Sequence, residues 1–217
     1  MPEKFLMAIY DQVYAAFGPQ HWWPAEDDFE IMVGAILTQS VSWKNVEKAI
    51  VNLKAKNLLS VKALLLADKD KLAGLIRPTG YFNQKALKLK NLCRHLETRY
   101  NGDIYGLFEK NISEMRKELL SIGGIGPETA DSIILYAARK PIFVVDAYTR
   151  RIFSRLGFLP DSIGYREMQE FFMKNLPQDV TLFNEYHALI VRLGKDYCKK
   201  KNPLCGKCPI RIYCTGI

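Results

Sequence analysis

Four of the five cysteines in the chain, Cys198, Cys205, Cys208 and Cys214, fall within its last 20 residues. Thiolates crowded into one short loop repel one another unless a shared cation neutralises them, so the cluster reads as a metal site. The intervals are six, two and five residues. Zinc ribbons ordinarily offer two separate Cys-x2-Cys knuckles and this stretch has one, so a compact [4Fe–4S] cluster fits the spacing better than zinc. Around it stand Lys195, Lys199, Lys200, Lys201, Lys207 and Arg211 against Asp196 alone. The loop therefore stays cationic even around an anionic cluster, as suits phosphate contacts. A second segment, Ile122-Gly123-Gly124-Ile125-Gly126-Pro127-Glu128-Thr129-Ala130, joins two expected helices through a tight turn. Glycines allow positive φ and close backbone approach, and a helix opened there aims unpaired N–H groups at an anion. Gly124, Gly126 and Thr129 are the candidate phosphate contacts, with a plain helix–helix connection as the bland alternative.

Helices must position these residues, and the hydrophobic pattern is helical almost throughout. Phe29, Met32, Val33, Ile36 and Leu37 form one apolar stripe, and Asp27 with Glu30 three residues on resembles a capping box. Val46, Ala49, Ile50 and Leu53 repeat the pattern behind Ser42, the expected N-cap. Ser60 and Asp68 open two short helices before the break at Arg77-Pro78-Thr79-Gly80. Ala86, Leu89, Leu92, Cys93 and Leu96 mark a longer helix in which Cys93 is a small core residue. A further helix is expected to begin at Ser113 and to end at Gly123-Gly124, and Pro127 to be the first residue of the next. Only Ile142 to Val145 has strand character, and four residues do not make a sheet. The fold class is all-α, with short connections and no linker.

Composition bounds the rest. A chain of 217 residues with 48% hydrophobic and 25% charged residues is globular, which excludes disordered and collagen-like classes. Apolar runs such as Ile133 to Ala138 fall far short of the roughly 20 residues a membrane span needs. Glu3 and Asp11 interrupt the N-terminal apolar stretch, so no signal peptide is read there. With an odd cysteine count, this favours a reducing, cytoplasmic setting over a disulfide framework. A formal charge of +8 points towards a polyanionic partner.

The glycine hairpin, Val144-Val145-Asp146 beyond it and the cysteine loop occur in one order and spacing. Together they resemble the endonuclease III superfamily of DNA glycosylases, the helix-hairpin-helix-GPD group with an iron–sulfur loop. The resemblance runs from about Phe29 to Cys214. It implies two helical domains flanking a DNA groove. Residues 26–131 would form a six-helix domain ending in the hairpin, and residues 1–25 and 132–217 a second domain with the cluster loop 198–214. The implied partner is double-stranded DNA containing damaged bases, bound by a monomer without a membrane. Asp146 matches the essential acid of the family, placed to stabilise an oxocarbenium ion or to activate water. It also suits a simple N-cap.

Departures from the family pattern narrow the expected activity. Bifunctional members carry a Schiff-base lysine where this chain has Glu128, and a carboxylate cannot form that adduct. This implies a monofunctional glycosylase without AP-lyase activity. Adenine-mismatch members carry a catalytic Glu where Gly34 stands. His21-Trp22-Trp23-Pro24, Leu37-Thr38-Gln39-Ser40 with Trp43, and Glu128 resemble the 3-methyladenine glycosylase branch, although some of its members lack the cysteine loop retained here. An alkylated purine is cationic and leaves without protonation. Trp22, Trp23 and Trp43 would bind it through cation–π contacts after base flipping, unless they simply pack the core. Gln39 matches the residue that fills the vacated stack, and Tyr81 or Phe82 a second wedge. Glu128 either lines the pocket or favours the helix N-terminus. His21, His95 and His187 read as structural. The competing readings are a glycosylase for deaminated, mismatched or oxidised bases, and a non-catalytic DNA-binding protein.

Overall fold

The computed structural model describes residues 2–214, which are helical with no strand among them. In chain order the helices are α1 (Pro2–Phe17), α2 (Asp28–Leu37), α3 (Trp43–Lys54), α4 (Val61–Leu66), α5 (Lys69–Leu75) and α6 (Phe82–Tyr100). They continue with α7 (Ile104–Phe108), α8 (Ile112–Leu120), α9 (Pro127–Ser132), α10 (Ala147–Arg155), α11 (Tyr165–Asn175) and α12 (Val180–Asp196). Short 3-10 turns at Arg77–Thr79, Cys205–Lys207 and Arg211–Tyr213 complete the set, and α9 runs on as a π turn over Ile133–Ala137. No described helix is long and apolar enough to cross a membrane.

Local chemistry sets most of these boundaries. The carboxylate of Asp27 accepts from the Glu30 N–H at 2.8 Å, the Ser60 hydroxyl from Ala63 N–H at 3.2 Å, and Asp68 from Lys71 N–H at 2.9 Å. Each satisfies one amide that its helix leaves open. Two expectations need correction and a third is met in part. Glu30 does not return a bond to Asp27; its carboxylate accepts from Glu26 N–H and pairs with Lys54 at 2.8 Å, so there is no capping box. Ser42 is the N-cap residue of α3 as expected, but its hydroxyl makes no cap bond. Ser113 lies inside α8, whose cap is Asn111, accepting from Glu114 N–H at 3.0 Å. Two good N-cap residues stand two positions apart there, and the Asn wins.

The chain divides into two compact units, residues 25–140 and residues 1–24 with 141–217. In the first, every residue of α2 is buried, and the helix packs against α6 and the π turn. Cys93 sits in this core with Leu89, Leu92 and Leu96, and burial pushes its thiol up to about 12, making it an inert apolar filler. In the second, Phe143 stacks on Phe172 at 4.2 Å, and Tyr186 donates from its buried hydroxyl to the Leu6 carbonyl at 2.7 Å. Ile142 to Val145 is a buried extended segment outside any sheet. Its backbone is met by side chains, with Gln169 donating to the Phe143 carbonyl at 2.7 Å. This segment delivers Asp146 to the start of α10.

Candidate functional site

The glycine hairpin lies wholly in the unit of residues 25–140. Buried Ile122 and Ile125 anchor the turn, and Pro127 opens α9 where a missing N–H costs nothing. Gly124 has φ +100°, and a Cβ there would come 2.2 Å from Cγ of Lys88, so both its conformation and its neighbour exclude a side chain. Gly126 has φ −94° and open space where its Cβ would be. What glycine leaves at that position is room for an incoming group. Thr129 is buried, and its hydroxyl accepts from the side-chain amide of Gln39 at 2.9 Å. The same amide donates to the Gly124 carbonyl at 3.2 Å, while Lys88 Nζ donates to Gln39 Oε1 at 2.5 Å. The fold thus joins three expected DNA contacts, Gln39, Gly124 and Thr129, through one side-chain amide. Lys88 was not among the expected residues; nothing in its spacing separates it from other surface lysines.

The loop ahead of α6 distinguishes the two wedge candidates. Tyr81 has φ +44° and is 72% exposed, whereas Phe82 is only half-buried and lies under the Arg77 guanidinium at 6.0 Å. Trp43 opens α3 in this unit; Trp22 and Trp23 belong to the other, with ring centroids 5.1 Å apart. Glu128 stands exposed in the first turn of α9, a favourable position for a carboxylate beside open amides.

Asp146 is the N-cap of α10, within the unit of residues 1–24 and 141–217. Its Oδ1 accepts from Thr149 N–H at 2.7 Å and from the Thr149 hydroxyl at 2.8 Å, and that hydroxyl in turn accepts from Asp146 N–H at 3.4 Å. The second oxygen, Oδ2, lies 3.6 Å from Nε2 of His187 on α12. Burial alone would raise this carboxyl. The facing His187 ring and the two donations from Thr149 instead hold it below the ordinary aspartate range. Asp146 is therefore an anion with one oxygen committed to the helix and the other facing His187. His187 had read as structural, and no sequence signal pairs it with a residue 41 positions earlier.

The four clustered cysteines line one cavity of about 160 Å³ beside Arg155. Burial raises the Cys208 thiol, and the other three cysteines raise it further, because thiolates sharing one poorly hydrated space resist ionisation without a cation. Arg155 donates to Sγ of Cys198 at 3.4 Å and to the Lys199 carbonyl at 2.8 Å. Arg151 donates to the carbonyls of Cys198 and Gly194 at 2.7 and 2.9 Å. Among the described residues no three metal-ligating side chains converge on a single ion. Four sulfurs lining one cavity are the donor set an iron–sulfur core would need. Lys199, Lys200, Lys201, Lys207 and Arg211 are exposed around it.

Comparison with known proteins gives a consistent result. The profile of the HhH-GPD superfamily base excision DNA repair protein matches residues 33–178. A provisionally named DNA repair glycosylase of Methanocaldococcus jannaschii is 50% identical over 214 residues, covering 98% of this chain and 97% of its own length. The crystal structure of H. pylori 3-methyladenine DNA glycosylase bound to 1,N6-ethenoadenine superposes with a TM-score of 0.77. It is 28% identical, over 89% of this chain and 97% of that one. A non-covalent endonuclease III–DNA complex shares the fold with a TM-score of 0.85 at 23% identity, over 99% and 95% of the two chains.

Proposed function

Because the chain belongs to the HhH-GPD superfamily of base excision DNA repair proteins, we propose that it is a monofunctional glycosylase hydrolysing the N-glycosidic bond of alkylated purines of the 3-methyladenine type. The observation that carries this reading is Asp146 at the head of α10, an anionic carboxylate held by Thr149 and faced by His187. Separately, Glu128 stands in the first turn of α9 where the resembled bifunctional enzymes carry a lysine. Glu128 has no amine with which to attack the sugar, so water is the nucleophile. Asp146 Oδ2 takes the proton of that water or stabilises the oxocarbenium ion, while Oδ1 keeps the carboxylate aimed through Thr149. A cationic purine needs no protonation before it leaves. The likeness to the H. pylori 3-methyladenine glycosylase supports this substrate class, as do the paired Trp22 and Trp23 rings and Trp43, which offer cation–π faces.

In this reading the partner is damaged double-stranded DNA. Gly124, Gly126 and the exposed cations of residues 199–211 hold its phosphates, Gln39 fills the vacated stack, and Tyr81 is the wedge in preference to Phe82. Cys198, Cys205, Cys208 and Cys214 hold a [4Fe–4S] cluster, which when bound keeps the cationic loop rigid. The test is to incubate the protein with methylated DNA under borohydride, following free bases and covalent adducts together. Release of 3-methyladenine without a trapped adduct supports the reading. A trapped protein–DNA adduct refutes the monofunctional part. Release only from uracil, hypoxanthine or thymine-glycol duplexes refutes the substrate class.

A further inference from the structure

Lys85 takes no part in the chemistry above, yet it is fully buried, 2% exposed, in the unit of residues 25–140. Its Nζ donates to the backbone carbonyls of Leu37 at 2.8 Å and Thr79 at 2.7 Å. An interior ammonium is costly unless its donors are used. Burial, reinforced by the charge of Lys88, pulls it down to about 8, and it remains a cation at neutral pH.

The two acceptors show what the cation is for. Leu37 is the last residue of α2 and Thr79 the last of the 3-10 turn, so both carbonyls lie at helix ends that lack intrahelical donors. Lys85 caps both ends at once. Two residues beyond Leu37 stands Gln39, and two beyond Thr79 stands Tyr81. Gly80 and Tyr81 both have positive φ, at +61° and +44°, so the second loop is tightly shaped as well as tethered. One turn along α6, Lys88 reaches Gln39 itself. Thus α6 begins beside Tyr81, holds the roots of both loops through Lys85, and touches the tip of one through Lys88.

We propose that Lys85 is a positioning residue that fixes the Gln39 loop and the Tyr81 loop relative to each other, so that the two side chains enter the duplex at a lesion as a unit. The proposal rests on the reading of Gln39 and Tyr81 as the inserted residues. A side chain that merely filled this space would be apolar, since a methionine occupies similar volume without desolvating a charge. Such a filler would leave the two helix-end carbonyls unmet and the loops untethered.

The test compares an undamaged duplex, which uses phosphate contacts alone, with one carrying a tetrahydrofuran abasic analogue, which rewards insertion. The proteins are wild type, Lys85→Met, Lys85→Arg, Gln39→Ala, Tyr81→Ala and the Lys85→Met/Gln39→Ala double variant. Lys85→Met is expected to bind undamaged duplex like wild type and to lose about tenfold of its preference for the abasic duplex. In the double variant the two effects should be less than additive, because both act through one loop. Amide exchange at residues 38–41 and 79–82 should quicken in Lys85→Met and stay slow elsewhere. Lys85→Arg keeps donors at the same place and should retain slow exchange and abasic preference together; it carries the test should Lys85→Met not fold. Equal weakening on both duplexes, or unchanged preference with unchanged exchange, would overturn the proposal. Unchanged preference in Gln39→Ala and Tyr81→Ala would instead remove the insertion reading, and the proposal with it, even where loop exchange responds to Lys85.

Discussion

Asp146 turns one oxygen to Thr149 and the other to His187, and in the proposed mechanism the second oxygen does the chemistry. With His187 facing Oδ2, the carboxyl stays ionised below the ordinary aspartate range. The acid limb of the glycosylase rate should therefore lie below the usual titration of aspartate. Removing the ring removes the largest influence opposing burial, so His187→Gln should move that limb to higher pH in single-turnover profiles; an unmoved limb would show that His187 does not act on Asp146. Glu128 permits the reverse experiment. Glu128→Lys places an amine where the resemblance puts the Schiff-base lysine, and it should yield a borohydride-trapped adduct with abasic DNA that wild type lacks. Both positions stood out in the sequence because a fixed motif surrounds each. His187 did not, because its pairing with Asp146 exists only once α12 is packed on α10.

Hydrophobic periodicity identified the helices, since a stripe recurring at 3.6 residues has one way to bury itself. It was less reliable at helix ends, where single hydrogen bonds decide. The start of α8 shows this: Asn111 rather than Ser113 accepts from the first turn. Asn111→Ala should lower stability by about 1 kcal/mol in urea unfolding, and Ser113→Ala by much less. If the two cost the same, the cap is misassigned. The hairpin was legible from its glycines, but the reason for Gly124 was not. Its missing side chain makes way for the stem of Lys88, and that approach brings the ammonium to Gln39. Hydrogen bonds joining α6, the α2 loop and the hairpin span 49 to 90 residues, beyond any local spacing rule.

For the molecule as a whole, the excess of positive charge was read directly from the sequence, and much of it stands exposed on the cysteine loop. If that loop holds phosphates, the logarithm of duplex affinity should fall linearly with the logarithm of salt concentration. Neutralising Lys200, Lys201 and Lys207 should flatten the slope by roughly 0.9 for each phosphate that the loop then leaves unneutralised. A slope unchanged in the triple variant would place the loop away from DNA. The clustering of four cysteines was visible from spacing alone, whereas the arginines that brace their loop from α10 became visible only in three dimensions. The central claim is that this chain removes alkylated purines by hydrolysis through Asp146. Its most direct test is the single-turnover release of 3-methyladenine from methylated duplex by wild type and by Asp146→Asn, with Tm measured for both. The expected result is rapid release by wild type, release slowed by at least about a hundredfold in the variant, and closely similar Tm values. Release at comparable rates from the two proteins would contradict it.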